Sequence, residues 1–203
     1  THTLAKNVEK LWLEGTAAID GTGNALANEI LGTNQNNVLD GQGGADTLRG
    51  YDGDDTYIID NAGDVIYEAA GEGTDVAIST VDVVLPNSEV ENIRLEGSED
   101  LNATGNSLAN EIIGNKGNNV LDGGADSAID TLRGGAGDDT YVIVNWLNAA
   151  DIIVETFNWF DNGVELTNED TIVLTATASL APYKMPDNVE NLVIVRDLIN
   201  DWY

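Results

Sequence analysis

Two nine-residue units with the same pattern follow one another directly between residues 41 and 58, and they limit what this chain can fold into. They read Gly-Gln-Gly-Gly-Ala-Asp-Thr-Leu-Arg and Gly-Tyr-Asp-Gly-Asp-Asp-Thr-Tyr-Ile. Glycine fills the first and fourth positions, aspartate the sixth, threonine the seventh and a large apolar residue the eighth. A fixed period that combines turn residues with one apolar residue is typical of a repeat architecture.

The first six residues of each unit suit a tight turn that binds a hard cation. Glycine permits a positive φ, so we expect the glycines at positions one and four to turn the chain until its carbonyl groups face one another. Asp46 and Asp55 add a charged oxygen to these carbonyls. Calcium takes roughly 6–8 oxygen ligands in a flexible shell, so each turn predicts part of a calcium site.

The last three residues of each unit read as a short strand with Leu48 or Tyr57 pointing inward. One unit then makes half a coil, and two units make one full coil of a parallel roll. Turns that are two units apart stack on the same side, with a cation between them. The sequence therefore predicts an all-β fold, a parallel β-roll or β-helix solenoid built from nonapeptide calcium-binding turns.

The same plan begins before these units and starts again later. Four consecutive units share the nine-residue register from residue 23, and the segment that begins at Val8 returns from Val90. A third start appears at Val189. We predict two tandem long repeats, residues 1–89 and 90–188, followed by residues 189–203 as the start of a third. Because both ends fall inside the repeat plan, neighbouring repeats of a longer chain are expected partners.

Stacking the turns on each side of the roll predicts four columns of metal ligands. Two columns belong to the first repeat and two to the second. The columns are Asn28, Asp46 and Asp64; Asn37, Asp55 and Asp75; Asn110, Asp130 and Asp151; and Asn119, Asp139 and Asp170. We expect calcium between neighbours in each column, with roughly four to eight ions in all. Asparagine is neutral and a weaker ligand, so amide hydrogen bonds are the alternative way of holding its turns.

The charge of the chain supports cation binding and excludes some partners. The sequence has 36 acidic and 8 basic side chains, a formal net charge of −28. Such a chain repels itself unless cations bind, and it also repels nucleic acid and anionic lipid. It has no cysteine, which excludes disulfides and thiolate metal sites. No stretch approaches the ~20 apolar residues of a membrane helix, so membrane insertion is not expected.

At these residues the chain resembles the calcium-binding RTX domain of secreted bacterial proteins, also called hemolysin-type repeats. The strong units cover only residues 41–58 and 134–142, although Val90-Glu-Asn-Ile and Asn119-Val-Leu-Asp-Gly also look like the long RTX repeat variety. The resemblance implies Ca²⁺ as the cofactor. It also implies type I secretion as an unfolded chain, followed by folding in calcium-rich extracellular surroundings.

Three function classes were compared. The first is a calcium-binding structural module of a larger secreted or cell-surface protein. The alternative is a module that binds polysaccharide or a host or cell surface, which the aromatic residues of the insertion at 146–160 favour; a hydrophobic cap is the other interpretation of that insertion. Enzyme activity is not expected, since His2 lacks a partner triad and no G-x-S-x-G, P-loop or H-E-x-x-H motif occurs.

Overall fold

The computed structural model describes residues 1–85, 88–124, 128–144, 151–154, 160–161, 164–165, 170–176, 189 and 191–196. The chain divides into two compact units, Thr1–Glu96 and Gly97–Tyr203. The described residues of both units form strands and turns, and they include no helix that is long and apolar enough to cross a membrane. The repeat boundary at residues 89 and 90 stays a prediction.

The first unit is a coil of short parallel strands that alternate between two sheets. Its strands are β1 (His2–Thr3), β2 (Lys10–Trp12), β3 (Gly21–Thr22), β4 (Glu29–Leu31), β5 (Val38–Asp40), β6 (Thr47–Arg49), β7 (Thr56–Ile59), β8 (Val65–Ile66), β9 (Val76–Ser79), β10 (Val83–Val84) and β11 (Asn92–Leu95). The odd-numbered strands pair in the order β1-β3-β5-β7-β9-β11. The other sheet runs β2-β4-β6-β8. Each strand of these two sheets therefore pairs with the strand one full coil away.

The second unit repeats this arrangement. Its strands are β12 (Asn102–Thr104), β13 (Glu111–Ile113), β14 (Val120–Asp122), β15 (Thr131–Arg133), β16 (Thr140–Val144), β17 (Ile152–Ile153), β18 (Phe160–Asp161), β19 (Val164–Glu165), β20 (Thr171–Ala176) and β21 (Asn191–Arg196). One sheet runs β12-β14-β16-β20-β21 and the other β13-β15-β17, all parallel. An antiparallel hairpin joins β18 to β19.

The interior of each unit is a stack of the apolar residues at the eighth position of the nonapeptide. In the first unit Ile30 pairs with Leu48, and Leu39 pairs with Tyr57. All four side chains have no exposed surface. Fully burying a side chain of this size contributes about 1.5–3 kcal/mol, so the stack is the main apolar contribution to the fold. The predicted all-β parallel β-roll solenoid is confirmed.

The two glycines of each nonapeptide have different roles, which corrects our expectation that both adopt a positive φ. Gly44 and Gly53, at position four, do adopt it, with φ of 136° and 125°. Gly41 and Gly50, at position one, lie outside the left-handed region. A Cβ on Gly41 would overlap the carboxylate of Asp46. Glycine is therefore required at position one because the space of its side chain is filled by the aspartate of the same turn.

Candidate calcium site

The structure stacks the sequence-predicted ligands of the first unit in the two predicted columns. In one column the backbone N–H of Asn28 donates to Asp46 Oδ1 (2.6 Å), and the N–H of Asp46 donates to Asp64 Oδ1 (2.9 Å). In the other column Asn37 donates in the same way to Asp55 (2.6 Å), and Asp55 to Asp75 (2.7 Å). One carboxylate oxygen of each acceptor is thus used to connect successive coils.

The two columns of the second unit have the same geometry. The backbone N–H of Asn110 donates to Asp130 Oδ1 (2.8 Å), and that of Asp130 to Asp151 Oδ1 (3.2 Å). The N–H of Asn119 donates to Asp139 Oδ1 (2.8 Å). The last step, from the N–H of Asp139 to Asp170 Oδ1 (2.9 Å), spans 31 residues because residues 145–169 intervene. The spacing of these asparagines and aspartates in the sequence therefore predicts correctly which of them stack on one another. Calcium binding by these residues stays a prediction.

In the part of the chain that the structure describes, three aspartates leave their second carboxylate oxygen buried without a hydrogen bond. These atoms are Oδ2 of Asp46, Asp55 and Asp139, and each residue is only 1% exposed. A buried anionic oxygen without a partner is costly, because desolvation is not compensated. A hard cation is the natural partner for such an oxygen. The donor set of these turns therefore fits calcium, and the three residues are those with the most complete nonapeptides.

The asparagine turns, which end in Asn28, Asn37, Asn110 and Asn119, leave neither end of the amide without a partner. In Asn37 and Asn119 the side-chain Oδ1 takes the place of the unpartnered carboxylate oxygen, and it accepts the backbone N–H of the residue four positions earlier (2.6 and 2.8 Å). The side-chain Nδ2 of Asn37 donates to the backbone oxygen of Ile19 (2.8 Å), and that of Asn119 donates to Leu101 O (3.1 Å). An amide N–H₂ therefore makes a contact with a carbonyl oxygen that a carboxylate oxygen cannot make. The amide hydrogen bonds of the alternative interpretation are therefore present, and calcium binding by these asparagines stays a prediction.

Burial and the crowding of carboxylates raise the pKa of the groups in these columns. Burial is the main cause, and it raises the pKa of Asp55 and of Asp139 to about 7 and that of Asp75 to about 6. Neighbouring carboxylates add to the effect, while the backbone hydrogen bonds described above oppose it. The pKa of Asp46 is raised for the same reasons. The calcium-free folded chain therefore keeps protons on these carboxyl groups to a higher pH than the unfolded chain does.

Acidification should therefore favour folding of the calcium-free chain. A carboxyl with a higher pKa in the folded than in the unfolded chain takes up a proton on folding, so its contribution to stability is present below about pH 4 and is lost as the pH rises toward 7. Each pKa unit corresponds to about 1.4 kcal/mol. We expect the ratio of folded to unfolded chain in chelator to be at least about tenfold higher at pH 5 than at pH 8, measured by far-ultraviolet circular dichroism.

The same titration in saturating calcium is the control for this prediction. Protons compete with calcium for the carboxylates, so with calcium present acidification should lower stability. A calcium-free chain with no more β-structure at pH 5 than at pH 8 would contradict the assignment of the buried carboxylates as the destabilising groups.

Two acidic residues outside the predicted set contact the columns. Glu91 Oε2 accepts a hydrogen bond from the backbone N–H of Asp75 (2.7 Å), which extends that column by one step. Glu68 lies beside Asp55 and Asp75, close enough for the three side chains to share a metal ion. Neither glutamate occupies a position of the nonapeptide, so the nine-residue pattern gave no signal for them. The long repeat does carry a signal for Glu68, because a glutamate stands four residues after the column aspartate in both copies, Glu68 after Asp64 and Glu155 after Asp151.

The insertion at residues 146–160 contains the aromatic residues Trp146, Phe157 and Trp159. These three residues lie outside the part of the chain that the structure describes. The two interpretations of the insertion, a cap or a binding surface, both stay predictions.

Comparison with known proteins gives one match. The family model of the RTX calcium-binding nonapeptide repeat matches residues 22–57 and 104–141, with four copies. These ranges contain the asparagine turns and the turns that end in Asp46, Asp55, Asp130 and Asp139. No curated protein and no solved structure matches the chain.

Proposed function

The chain contains RTX calcium-binding nonapeptide repeats, and from this premise we propose that it is a structural module that folds when calcium binds outside the cell. The observation that carries the proposal is the set of three buried, unpartnered carboxylate oxygens on Asp46, Asp55 and Asp139. RTX nonapeptide repeats bind Ca²⁺, and these oxygens lie where the repeat presents its aspartate. We infer that calcium ions bind between neighbouring turns of the columns and compensate these charges.

The net charge of the chain supports coupling of folding to calcium. With 36 acidic and 8 basic side chains, folding without cations brings carboxylates together in stacked turns and buries some of them. Where no binding site exists in the unfolded chain, the free energy of metal binding contributes directly to folding. Low calcium would therefore keep the chain open and high calcium would close it, which fits a protein that folds after export.

Secretion and membership of a larger protein are parts of the same proposal. RTX repeats are typical of secreted bacterial proteins, and calcium is abundant outside the cell. The β-roll is a structural calcium-binding fold. We infer that this chain is a segment of a larger secreted or cell-surface protein, and that calcium binding folds and stabilises this segment.

Replacing Asp46 by asparagine should remove a calcium ion and, at the same time, make the calcium-free chain easier to fold. The asparagine turns show that an amide side chain fits into a turn of this kind, and Oδ1 of the new asparagine can keep the hydrogen bond from the N–H of Asn28. The variant also loses a buried unpartnered charge, so we expect the calcium-free fold to gain about 1–3 kcal/mol. Calorimetry with calcium counts the ions. Circular dichroism in chelator, with an osmolyte added to induce folding, measures the calcium-free stability.

Asp52→Asn is the matched control, since Asp52 is exposed in the same unit and its carboxylate accepts a hydrogen bond from the side chain of Asn34. It makes the same change of charge outside the columns. Asp46→Asn should differ from it in both measurements. An unchanged number of bound ions, or a calcium-free chain that folds no more readily than the control, would contradict a cation at Asp46.

A further inference from the structure

Three carboxylates meet at one turn of the first unit. One ligand oxygen from each of Asp55, Glu68 and Asp75 lies within 4.8 Å of the other two. Asp55 and Asp75 are neighbours in one of the columns. Glu68 comes from a different part of the coil, two residues after β8, and stands outside the nonapeptide. The cluster therefore adds to the column a side chain that the nonapeptide does not supply.

Two oxygens of this cluster are buried without a hydrogen bond, and this is the observation that points to a ligand. They are Asp55 Oδ2, on a residue that is 1% exposed, and Glu68 Oε1. The other oxygen of each carboxylate is occupied. Asp55 Oδ1 accepts the backbone N–H of Asn37, and Glu68 Oε2 accepts the hydroxyl of Tyr57. Each residue thus uses one oxygen for the protein and leaves one unpartnered.

Tyr57 fixes the direction of the Glu68 carboxylate. The backbone N–H of Gly50 donates to Tyr57 Oη (2.9 Å), and Tyr57 Oη donates to Glu68 Oε2 (2.5 Å). The Tyr57 side chain is fully buried, so its ring cannot swing away. A Cβ on Gly50 would meet both Asp55 Oδ2 and Tyr57 Oη, which shows that these two oxygens lie together. The tyrosine hydroxyl therefore links Glu68 to the unpartnered oxygen of Asp55.

We propose that Glu68 is a ligand of the calcium ion between Asp55 and Asp75, and that Tyr57 is its positioning residue. The proposal rests on the proposed calcium-dependent function and adds to it a ligand from outside the nonapeptide. A divalent cation would reduce three buried negative charges to one. Hard carboxylate oxygens from three separate chain segments suit the flexible, oxygen-only shell of calcium. The ion would connect the loop after β8 to two successive turns of the column.

The second repeat carries the same combination in its sequence. Gly134 N–H donates to Tyr141 Oη (2.9 Å), and Asp139 Oδ2 is buried without a hydrogen bond. Glu155 stands four residues after Asp151, as Glu68 stands four residues after Asp64. Glu155 lies outside the described residues. The equivalence of Glu155 and Glu68 is therefore one of sequence spacing alone.

The test is the variant Glu68→Gln, with Glu14→Gln as its matched control. Glu14 is exposed in the same unit, so the control removes one negative charge from the surface. Chelator-treated protein is titrated with calcium and followed by calorimetry and circular dichroism. For Glu68→Gln we expect one ion fewer per chain, or one site weakened by at least about 10–100-fold, the loss typical of a missing supporting group. Tyr57→Phe keeps the carboxylate and should weaken the same site less.

The possible results separate the alternatives. If the wild type binds no calcium, both this inference and the proposed function fail. If the wild type binds and folds while Glu68→Gln titrates like Glu14→Gln, only the ligand role of Glu68 fails. If Glu68→Gln folds poorly, the number of ions bound in saturating calcium decides the matter: one ion fewer than in Glu14→Gln supports a ligand. The full number of ions on the refolded variant indicates a structural contact with Tyr57 alone and overturns the proposal.

Discussion

In chelator this chain should lose most of its β-structure, and calcium should restore it. A site that is filled to 100 times its dissociation constant contributes about 2.7 kcal/mol to the folded state. Four such sites would contribute about 11 kcal/mol, which equals the whole stability of a typical domain, about 5–15 kcal/mol. Without these ions the unpartnered oxygens of Asp46, Asp55 and Asp139 oppose the fold. Far-ultraviolet circular dichroism in chelator and in millimolar calcium measures the change.

Magnesium at the same concentration is the control for this experiment. Magnesium prefers octahedral geometry at about 2.0–2.1 Å and loses its water reluctantly, so it should restore little of the signal. Sodium chloride at equal ionic strength tests simple screening of the charge. A spectrum in chelator that already equals the spectrum in calcium would show that packing and asparagine hydrogen bonds hold the coils without ions.

Replacing Gly50 by alanine should destabilise the calcium-bound protein by about 3 kcal/mol or more, the upper range for an added group in a filled space. Gly50 has an ordinary φ, so backbone strain is not the cause. A Cβ at this position would overlap Asp55 Oδ2 and stand 2.5 Å from Tyr57 Oη. The Asp55 side chain is held through its Oδ1 and Tyr57 Oη by its own hydrogen bonds, so neither side chain can move without breaking them. Urea unfolding in saturating calcium gives the free energy of unfolding.

Gly43→Ala is the control, because a Cβ at Gly43 meets no atom within 4 Å and its φ lies outside the left-handed region. This glycine stands at position three of the preceding nonapeptide. We expect its replacement to change the free energy of unfolding by no more than about 0.5 kcal/mol. Equal urea midpoints for the two variants would contradict the close packing of glycine and aspartate within one turn.

The sequence predicts the architecture of this chain because its geometry is periodic. Short strands that recur every nine residues, each with one apolar side chain, can bury those side chains together only if the chain coils. Leu48 and Tyr57 are buried as this pattern predicts. The nine-residue period also predicts the neighbours within a column, because two units make one coil. Asp46 and Asp64 are 18 residues apart and are connected by a hydrogen bond. Where the step within a column is irregular, as from Asp139 to Asp170, the prediction comes from aligning the second long repeat with the first.

The features that the sequence did not predict depend on contacts between elements that are not periodic. Glu68 reaches the column from the loop after β8, and no nine-residue rule relates it to Asp55. The role of Gly50 was predicted wrongly because a glycine that provides space and a glycine that provides φ look identical in a sequence. The partner of an asparagine amide, such as Ile19 O for Asn37, also requires the coordinates.

If calcium binding in the stacked turns folds the coil, the number of bound ions and the β-structure must rise together. A calcium titration of chelator-treated protein by isothermal calorimetry, with circular dichroism of the same samples, measures both. We predict that several ions bind per chain and that β-structure rises in step with their binding. Little binding, or binding to a chain whose β-structure does not change, would contradict the claim.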